Sequence, residues 1–329
     1  MPSTIGSIDL SVITFKLEPT SGISAAPTAA ADAIAVRVSN LDVKMELKTV
    51  ERDVLTGAFA AADVKPYTRR GKITFSLEAQ SSGTPGTAPQ IGKILKACGR
   101  SEVIVAGSAV EYWPASLNIP TATIGCVWNG RYEEFVFCNG TVKRSIAVGK
   151  MLSFDFTFDG LVVADPIVQA SAVTPVLTAW VDGDAVGPTF TSPLRLGGLG
   201  AVTYSAGVLS GGTSYNFESI EADDAMDVQD TTLASAESMG IYGKNPSVNI
   251  VANLGPAAHV ALKLAGKNGT AQSCGYVHGK TAGRIVGEWW PAARIKEVSD
   301  QKNGKKMLDK VVLVPRPQTT NDDSVIFFA

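Results

Sequence analysis

At 329 residues, 45% apolar and 18% charged, the chain is too rich in core-type residues to be disordered and long enough for two domains of the usual size. A formal net charge of −2 excludes the basic field on which tight nucleic-acid binders rely. No run of about 18 apolar residues is present, and the opening MPSTIGSIDLSVITFKLEPT lacks the charged start and long apolar stretch of a secretory signal, so a soluble protein made in the cytosol is expected.

Along the chain, VERDVLTGAFAAADVKPYTRR (50–70) reads as an acid-bearing strand and loop. It leads into GKITFSLEA (71–79), where Ile73, Phe75 and Leu77 alternate with polar neighbours as in a half-buried strand. SSGTPGTA (81–88) is a loop-type insert. PQIGKILKACG (89–99) predicts a short helix. Pro89 stands where the first turn can spare an N–H, Gly99 where a left-handed residue ends the helix, and Ile91, Ile94, Leu95 and Cys98 form one apolar stripe. So short a helix is marginal alone and must lay that stripe on a sheet. VEYWPA (110–115) follows, then Asn129-Gly130 as a hairpin turn. Residues 131–163, RYEEFVFCNGTVKRSIAVGKMLSFDFTFDGLVV, predict short strands joined by turns at Asn139-Gly140 and Gly149-Lys150.

Pro166, Pro175 and Pro188 punctuate the next stretch, which places a boundary near residue 166. Beyond it the same order returns. PSVNIVA (246–252) is a strand, and PAAHVALKLAG (256–266) is a helix with Ala258, Ala261, Leu262 and Ala265 on its stripe. GEWWPA (287–292) sets Trp290 against Trp113, Asn303-Gly304 is a second hairpin turn, and DKVVLVPRP (309–317) is another strand. The repeated order predicts a duplication. The expected fold is mainly β, with two tandem antiparallel β-sandwich or barrel domains, residues 1–165 and 166–329, each with a short flanking α-helix.

Little points to chemistry. Cys98, Cys126, Cys138 and Cys274 form no C-x-x-C pair and read as reduced core residues. His259 falls opposite the apolar stripe of its helix and reads as a surface histidine; His278 sits in a Gly-rich stretch and reads as solvated. RLGGLGAV (195–202) lacks the phosphate-loop pattern, and GVLSG is not a nucleophile elbow. Asn139-Gly-Thr and Asn268-Gly-Thr match the glycosylation triplet but read as turns. Glu133 and Glu134, adjacent on a strand, point to opposite faces. No catalytic, cofactor-binding or metal-ligating set is predicted, and the chain reads as a non-enzyme.

Charge is segregated instead. Residues 196–243 carry seven acids, Glu218, Glu221, Asp223, Asp224, Asp227, Asp230 and Glu237, and no Lys or Arg. Residues 294–316 carry seven basic residues, Arg294, Lys296, Lys302, Lys305, Lys306, Lys310 and Arg316, against three acids. Complementary patches of this kind set register between copies of a chain. At the C-terminus, Val325, Ile326, Phe327 and Phe328 form a strand that either closes its own sheet or adds to the edge of a neighbour's.

The chain resembles the major tail (tail tube) proteins of long-tailed bacteriophages. The resemblance lies in the strand-and-loop ending ITFSLEA, the helix ending LKACG, YWPAS, the meander after residue 123, and the second-half stretch YNFESIEADDAMDVQDTTLASAESMGIYGKNPSVNIVA. It implies a structural virion protein, made in the host bacterial cytoplasm, that assembles with itself into stacked rings through which DNA passes transiently. It also implies tail terminator, tape-measure and distal tail proteins as partners, with no cofactor and no membrane. Two such domains in one chain would make a trimeric, pseudo-sixfold ring. Glu46, Glu51, Glu218, Glu221, Asp223, Asp224 and Asp227 are then candidates for the bore or for contacts between rings. Arg294, Lys302, Lys305, Lys306 and Lys310 are candidates for contacts between subunits, as are Val325–Phe328. The Val50–Arg70 loop is the candidate for ring stacking. The competing readings are another virion component, such as a decoration or baseplate protein, and a carbohydrate-binding sandwich.

Overall fold

The computed structural model describes residues 11–37, 40–52, 63–128, 131–163, 167–168 and 173–329. The chain is mainly β, with large antiparallel sheets and two helices among the described residues.

In the first half β1 (Val12–Leu17), β6 (Ala122–Trp128), β7 (Arg131–Ala147), β8 (Ser153–Val162), β3 (Asp63–Glu78) and β2 (Asp42–Arg52) pair side by side in that order, all antiparallel. Isolated bridges Thr14↔Ala33 and Val36↔Leu77 lead from β1 back towards β3. The alternation in FDFTF turns Phe154, Phe156 and Phe158 inward against Phe15 and Phe75, and all five are fully buried. Each such ring contributes roughly 1.5–3 kcal/mol of burial free energy.

The second half closes on itself. β13 (Thr213–Asp223), β16 (Ser247–Asn253), β19 (Lys306–Pro315), β18 (Val286–Asn303), β17 (Gln272–His278) and β10 (Leu194–Gly198) pair in sequence, and β10 returns to β13. Closure gives these backbones partners on both sides, which removes the hazard of an open edge. Among the strand pairings that join the halves, two position the site. β7 pairs with β13, from Ala147↔Ser219 to Lys143↔Asp223. The C-terminal strand β20 (Val325–Phe328) lies between β18 and β5 (Ala109–Pro114), whose other side carries β4 (Arg100–Val105). One apolar core runs through both halves. The boundary expected at residue 166 lies outside the described residues.

β20 settles the choice left open for the C-terminus. Both of its edges are already paired within the chain and its four residues are buried, so Val325, Ile326, Phe327 and Phe328 are not a free strand for a neighbouring subunit. The strand is apolar throughout because both of its faces are covered. Phe327 lies so close to Gly287 that a Cβ there would sit 2.2 Å from its ring.

The helix prediction holds for α1 (Ile91–Ala97), where Ile91, Ile94, Leu95 and Cys98 are fully buried and Gly99 takes φ +76°. The second helix, α2 (Pro256–Lys267), is longer and far less covered. Leu262 is its one buried residue, and Ala261 of the expected stripe is exposed. Asn139-Gly140 is not a turn, because β7 runs through it with an irregularity between Val136 and Asn139. Asn139 is buried there, and its side-chain amide donates to the carbonyls of Ala97 and Pro120, one of them at the end of α1. The second hairpin turns at Gly304-Lys305, one residue past the expected start; the first, Asn129-Gly130, lies outside the described residues.

The matching hexapeptides flank β20 one residue out of step. Across the three strands Glu288, Ile326 and Tyr112 stand abreast, as do Gly287, Phe327 and Glu111. A single-residue offset inverts the faces. Trp290 therefore lies in the main core with Tyr112, whereas Trp113 lies on the opposite face with Trp289. Trp113 and Trp290, aligned in the letters, thus lie on opposite faces of the sheet.

Candidate functional site

Where the halves meet, four charged side chains lie in the interior. Asp224, at the end of β13, receives Arg100 from β4 (Nε to Oδ2 3.0 Å, Nη2 to Oδ1 2.6 Å) and Arg144 from β7 (Nη2 to Oδ1 2.9 Å). Arg144 also donates through Nε to Glu288 of β18 at 2.5 Å, and Arg100 donates to the hydroxyl of Ser324 at 3.1 Å. Burial alone would raise the Asp224 carboxyl, but the two guanidiniums reverse this and hold it well below the usual carboxylate range. Burial raises Glu288, against the opposing pull of Arg144.

This corrects the place of Asp224 among the candidate bore or inter-ring acids. It is 4% exposed and neutralised inside the chain. The sequence reading missed Arg100, Arg144 and Glu288, although a signal was present. Arg144 shares strand parity with the core residues Val142 and Ile146, and Glu288 with Val286 and Trp290. A charge at a core-facing position demands a buried partner.

The other acids lie nearer solvent, several of them engaged. Glu221 pairs with Lys143 at 3.1 Å, Asp223 accepts from the Ala225 amide at 2.8 Å, and Asp227 accepts from Gln229 at 2.7 Å. Glu218 accepts from the side chain of Asn303 on the β18–β19 hairpin. Asp230 binds Lys48 at 2.8 Å and Arg70 at 2.7 Å, fastening the β2–β3 ribbon to the hairpin formed by β14 (Met226–Leu233) and β15 (Ala236–Lys244). Of the basic candidates, Arg294 donates to the Gly269 carbonyl just past α2, and Lys310 is half-buried on β19. Lys302, Lys305 and Lys306 are exposed at the hairpin tip, and Lys302 and Lys306 share with Glu218 and Glu221 the wall of a cleft of about 800 Å³. The acidic and basic segments thus already meet within one chain.

Two strands end the long hydrogen-bonded path of the sheet, β2 at one end and β4 at the other. Both carry exposed apolar side chains: Met45, Leu47 and Val50 on β2, and Val103 and Ile104 on β4. The partner side of the ribbon, β3, adds Val64 and Tyr67. Glu46 and Glu51 are exposed on β2. Residues 53–62 of the stacking-loop candidate lie outside the described residues.

The remaining reactive groups are engaged or enclosed. His278 is not solvated. It is 3% exposed, with Nδ1 3.0 Å from the Thr191 hydroxyl and Nε2 2.9 Å from the Asp184 carbonyl, and burial lowers its pKa. His259 is not a free surface residue either, since its Nδ1 lies 2.6 Å from Asp309 Oδ1. All four cysteines are buried, and burial first of all raises their thiols, which stay protonated and unreactive. Trp113 and Trp289 pack edge to face at 6.4 Å beside Tyr204. Their indole N–H groups are taken by Glu111 and by the Val202 carbonyl. Aromatic rings held in this way form a packing cluster.

No protein-family model matches this sequence, and the search of curated proteins finds no match.

Proposed function

We propose that the chain is a structural virion protein that assembles head to tail into rings, stacked as the tail tube of a long-tailed bacteriophage. The observation that carries this reading is the pair of edge strands, β2 and β4, at opposite ends of one continuous sheet, each hydrogen-bonded on one side only among the described residues and each with exposed apolar side chains. An open edge of this kind invites pairing with another chain, and a contact between two different edges closes into a ring when the rotation per copy allows. With two tube-type units per chain, three chains would complete a pseudo-sixfold ring. Glu46 and Glu51, exposed on β2, are the candidate acids of such a bore, where they would repel DNA phosphates weakly so that the polymer slides without sticking. Tail terminator, tape-measure and distal tail proteins are the partners this reading entails.

Electron microscopy and sedimentation of the purified chain test the reading. The unaltered protein should give tubes with three chains per ring. Ile104→Lys should leave the far-UV spectrum and Tm unchanged and leave the protein monomeric, because a lysine there must desolvate its charge only if the edge is paired. A chain that remains monomeric at high concentration would sink the proposal. Charge reversal of Lys305 and Lys306 to Glu tests the hairpin tip separately. The fold should survive, since both side chains are exposed, and tubes should shorten if the tip meets acids of the next ring; unchanged tube length removes the tip from the stacking contact.

A further inference from the structure

α2 is held down by surprisingly little. Its counterpart in the first half, α1, buries five residues; α2 buries Leu262 alone and leaves Val260 and Leu264 exposed. A helix of twelve residues with so small an apolar anchor needs another attachment to stay docked.

Beneath it, Asp300 of β18 and Asp309 of β19 stand directly opposite each other across the antiparallel ladder. Like charges at such a pair repel, and a cation between them relieves the repulsion. His259 projects from α2 to the same point, with Nδ1 2.6 Å from Asp309 Oδ1 and 4.0 Å from Asp300 Oδ1. One ligand atom from each of the three lies within 4.8 Å of the others. Asp309 is further oriented through its second oxygen, which accepts from the Leu254 amide at 2.9 Å. A carboxylate fixed from behind in this way is the outer-shell arrangement that aims a metal ligand.

We propose that His259, Asp300 and Asp309 bind one borderline divalent transition-metal ion, of which Zn²⁺ is the type. Bound there, the ion clips α2 onto the β18–β19 hairpin. One imidazole and two carboxylates favour such an ion over Mg²⁺ or Ca²⁺, which take oxygen ligands. Zinc bonds of about 2.0–2.2 Å to nitrogen and oxygen set tetrahedral ligand atoms about 3.4 Å apart. Reaching that spacing from ligand atoms that lie within 4.8 Å of one another requires the exposed Asp300 carboxylate to turn inward and the 2.6 Å His259–Asp309 contact to open, and the fourth position is left to water.

The test is calorimetric titration of the full chain, stripped with chelator, with Zn²⁺ and in parallel with Mg²⁺, together with thermal melts. One equivalent of Zn²⁺ should bind, and the Tm should rise by at least about 2 °C at a hundredfold excess over Kd. Asp300→Asn removes one ligand and leaves the His259–Asp309 hydrogen bond intact. It should melt with the metal-free protein while weakening Zn²⁺ binding at least about tenfold. His259→Gln should weaken Zn²⁺ binding at least as much, and because it also removes the His259–Asp309 contact it should melt below the metal-free protein. Absence of stoichiometric Zn²⁺ binding, or binding that Asp300→Asn leaves unchanged, reduces the cluster to a hydrogen-bonded His–Asp pair and overturns the proposal. Equal affinity for Mg²⁺ would overturn the choice of metal.

Discussion

Arg144→Met is expected to destabilise the protein by about 3–5 kcal/mol, the usual cost of leaving a buried charge without its partner. Arg144 is 2% exposed and spans the two halves, meeting Asp224 at 2.9 Å and Glu288 at 2.5 Å. Without it Asp224 retains Arg100, but Glu288, 1% exposed, loses its cation. Urea denaturation at neutral pH measures the loss. The double variant Arg144→Met, Glu288→Met should recover a large part of it, because two apolar side chains leave no orphaned charge. A single-variant loss below about 1 kcal/mol would show that the ion pair is not held as described.

The pH dependence has a definite sign. A carboxyl held below its ordinary value contributes stability that is present above the unfolded pKa, near 3.9 for Asp, and is lost as pH falls through the folded pKa. Burial raises Asp224 but the two guanidiniums hold it far below that value, so its contribution should persist across the whole range from about pH 4 to 8. Glu288 shifts the other way, raised by burial. In Arg144→Met the carboxyl loses the cation that opposed this rise. The penalty should therefore be greatest at neutral pH and shrink as acid protonates Glu288. Denaturation curves for both proteins at pH 7 and pH 5 check this.

Ending the chain after Ser324 is expected to abolish folding rather than assembly alone. β20 supplies the strand between β18 and β5, so its loss opens two rows of backbone hydrogen-bonding groups. It also removes Phe327, which packs on Tyr204 at a centroid distance of 4.8 Å and against Gly287, and Phe328, which meets Tyr112 edge to face at 5.8 Å. Phe327→Ala alone should cost about 3–5 kcal/mol. Soluble expression and urea denaturation are the readouts. A truncated chain that folds stably as a monomer and fails only to form rings would instead mean that the strand belongs to a neighbouring subunit.

Much of the local structure was legible in the residues. The inward phenylalanines of β8 follow from strict alternation, and α1 from Pro89, Gly99 and four apolar side chains at helical spacing. These are short-range facts, carried by a period of two or of 3.6 residues. Where the local signal was a dipeptide alone, as at Asn139-Gly140, tertiary contact overrode it. The Asn139 amide is buried instead and donates to the Ala97 carbonyl at the end of α1.

The candidate site was legible only in part. Counting residues locates the acidic and basic segments, but not which of their members face solvent. Asp224 and Asp227 lie in the same run, yet one is enclosed by two arginines and the other meets a surface glutamine. That difference depends on β7 and β4 arriving from 80 and 124 residues away in the chain. The partners of β20 and the one-residue offset between the two Trp-Pro-Ala segments are decisions of the same kind. By itself the sequence determined that the chain is mainly β and where its strongly periodic elements lie, such as the strands containing residues 71–77, 153–158 and 247–252 and the helix α1, because each of these is specified by the spacing of its own side chains. Only the tertiary structure decided which edges pair and which charges are neutralised, because strand register and burial are set by residues distant in the chain, and shifting a strand by a single position exchanges its two faces.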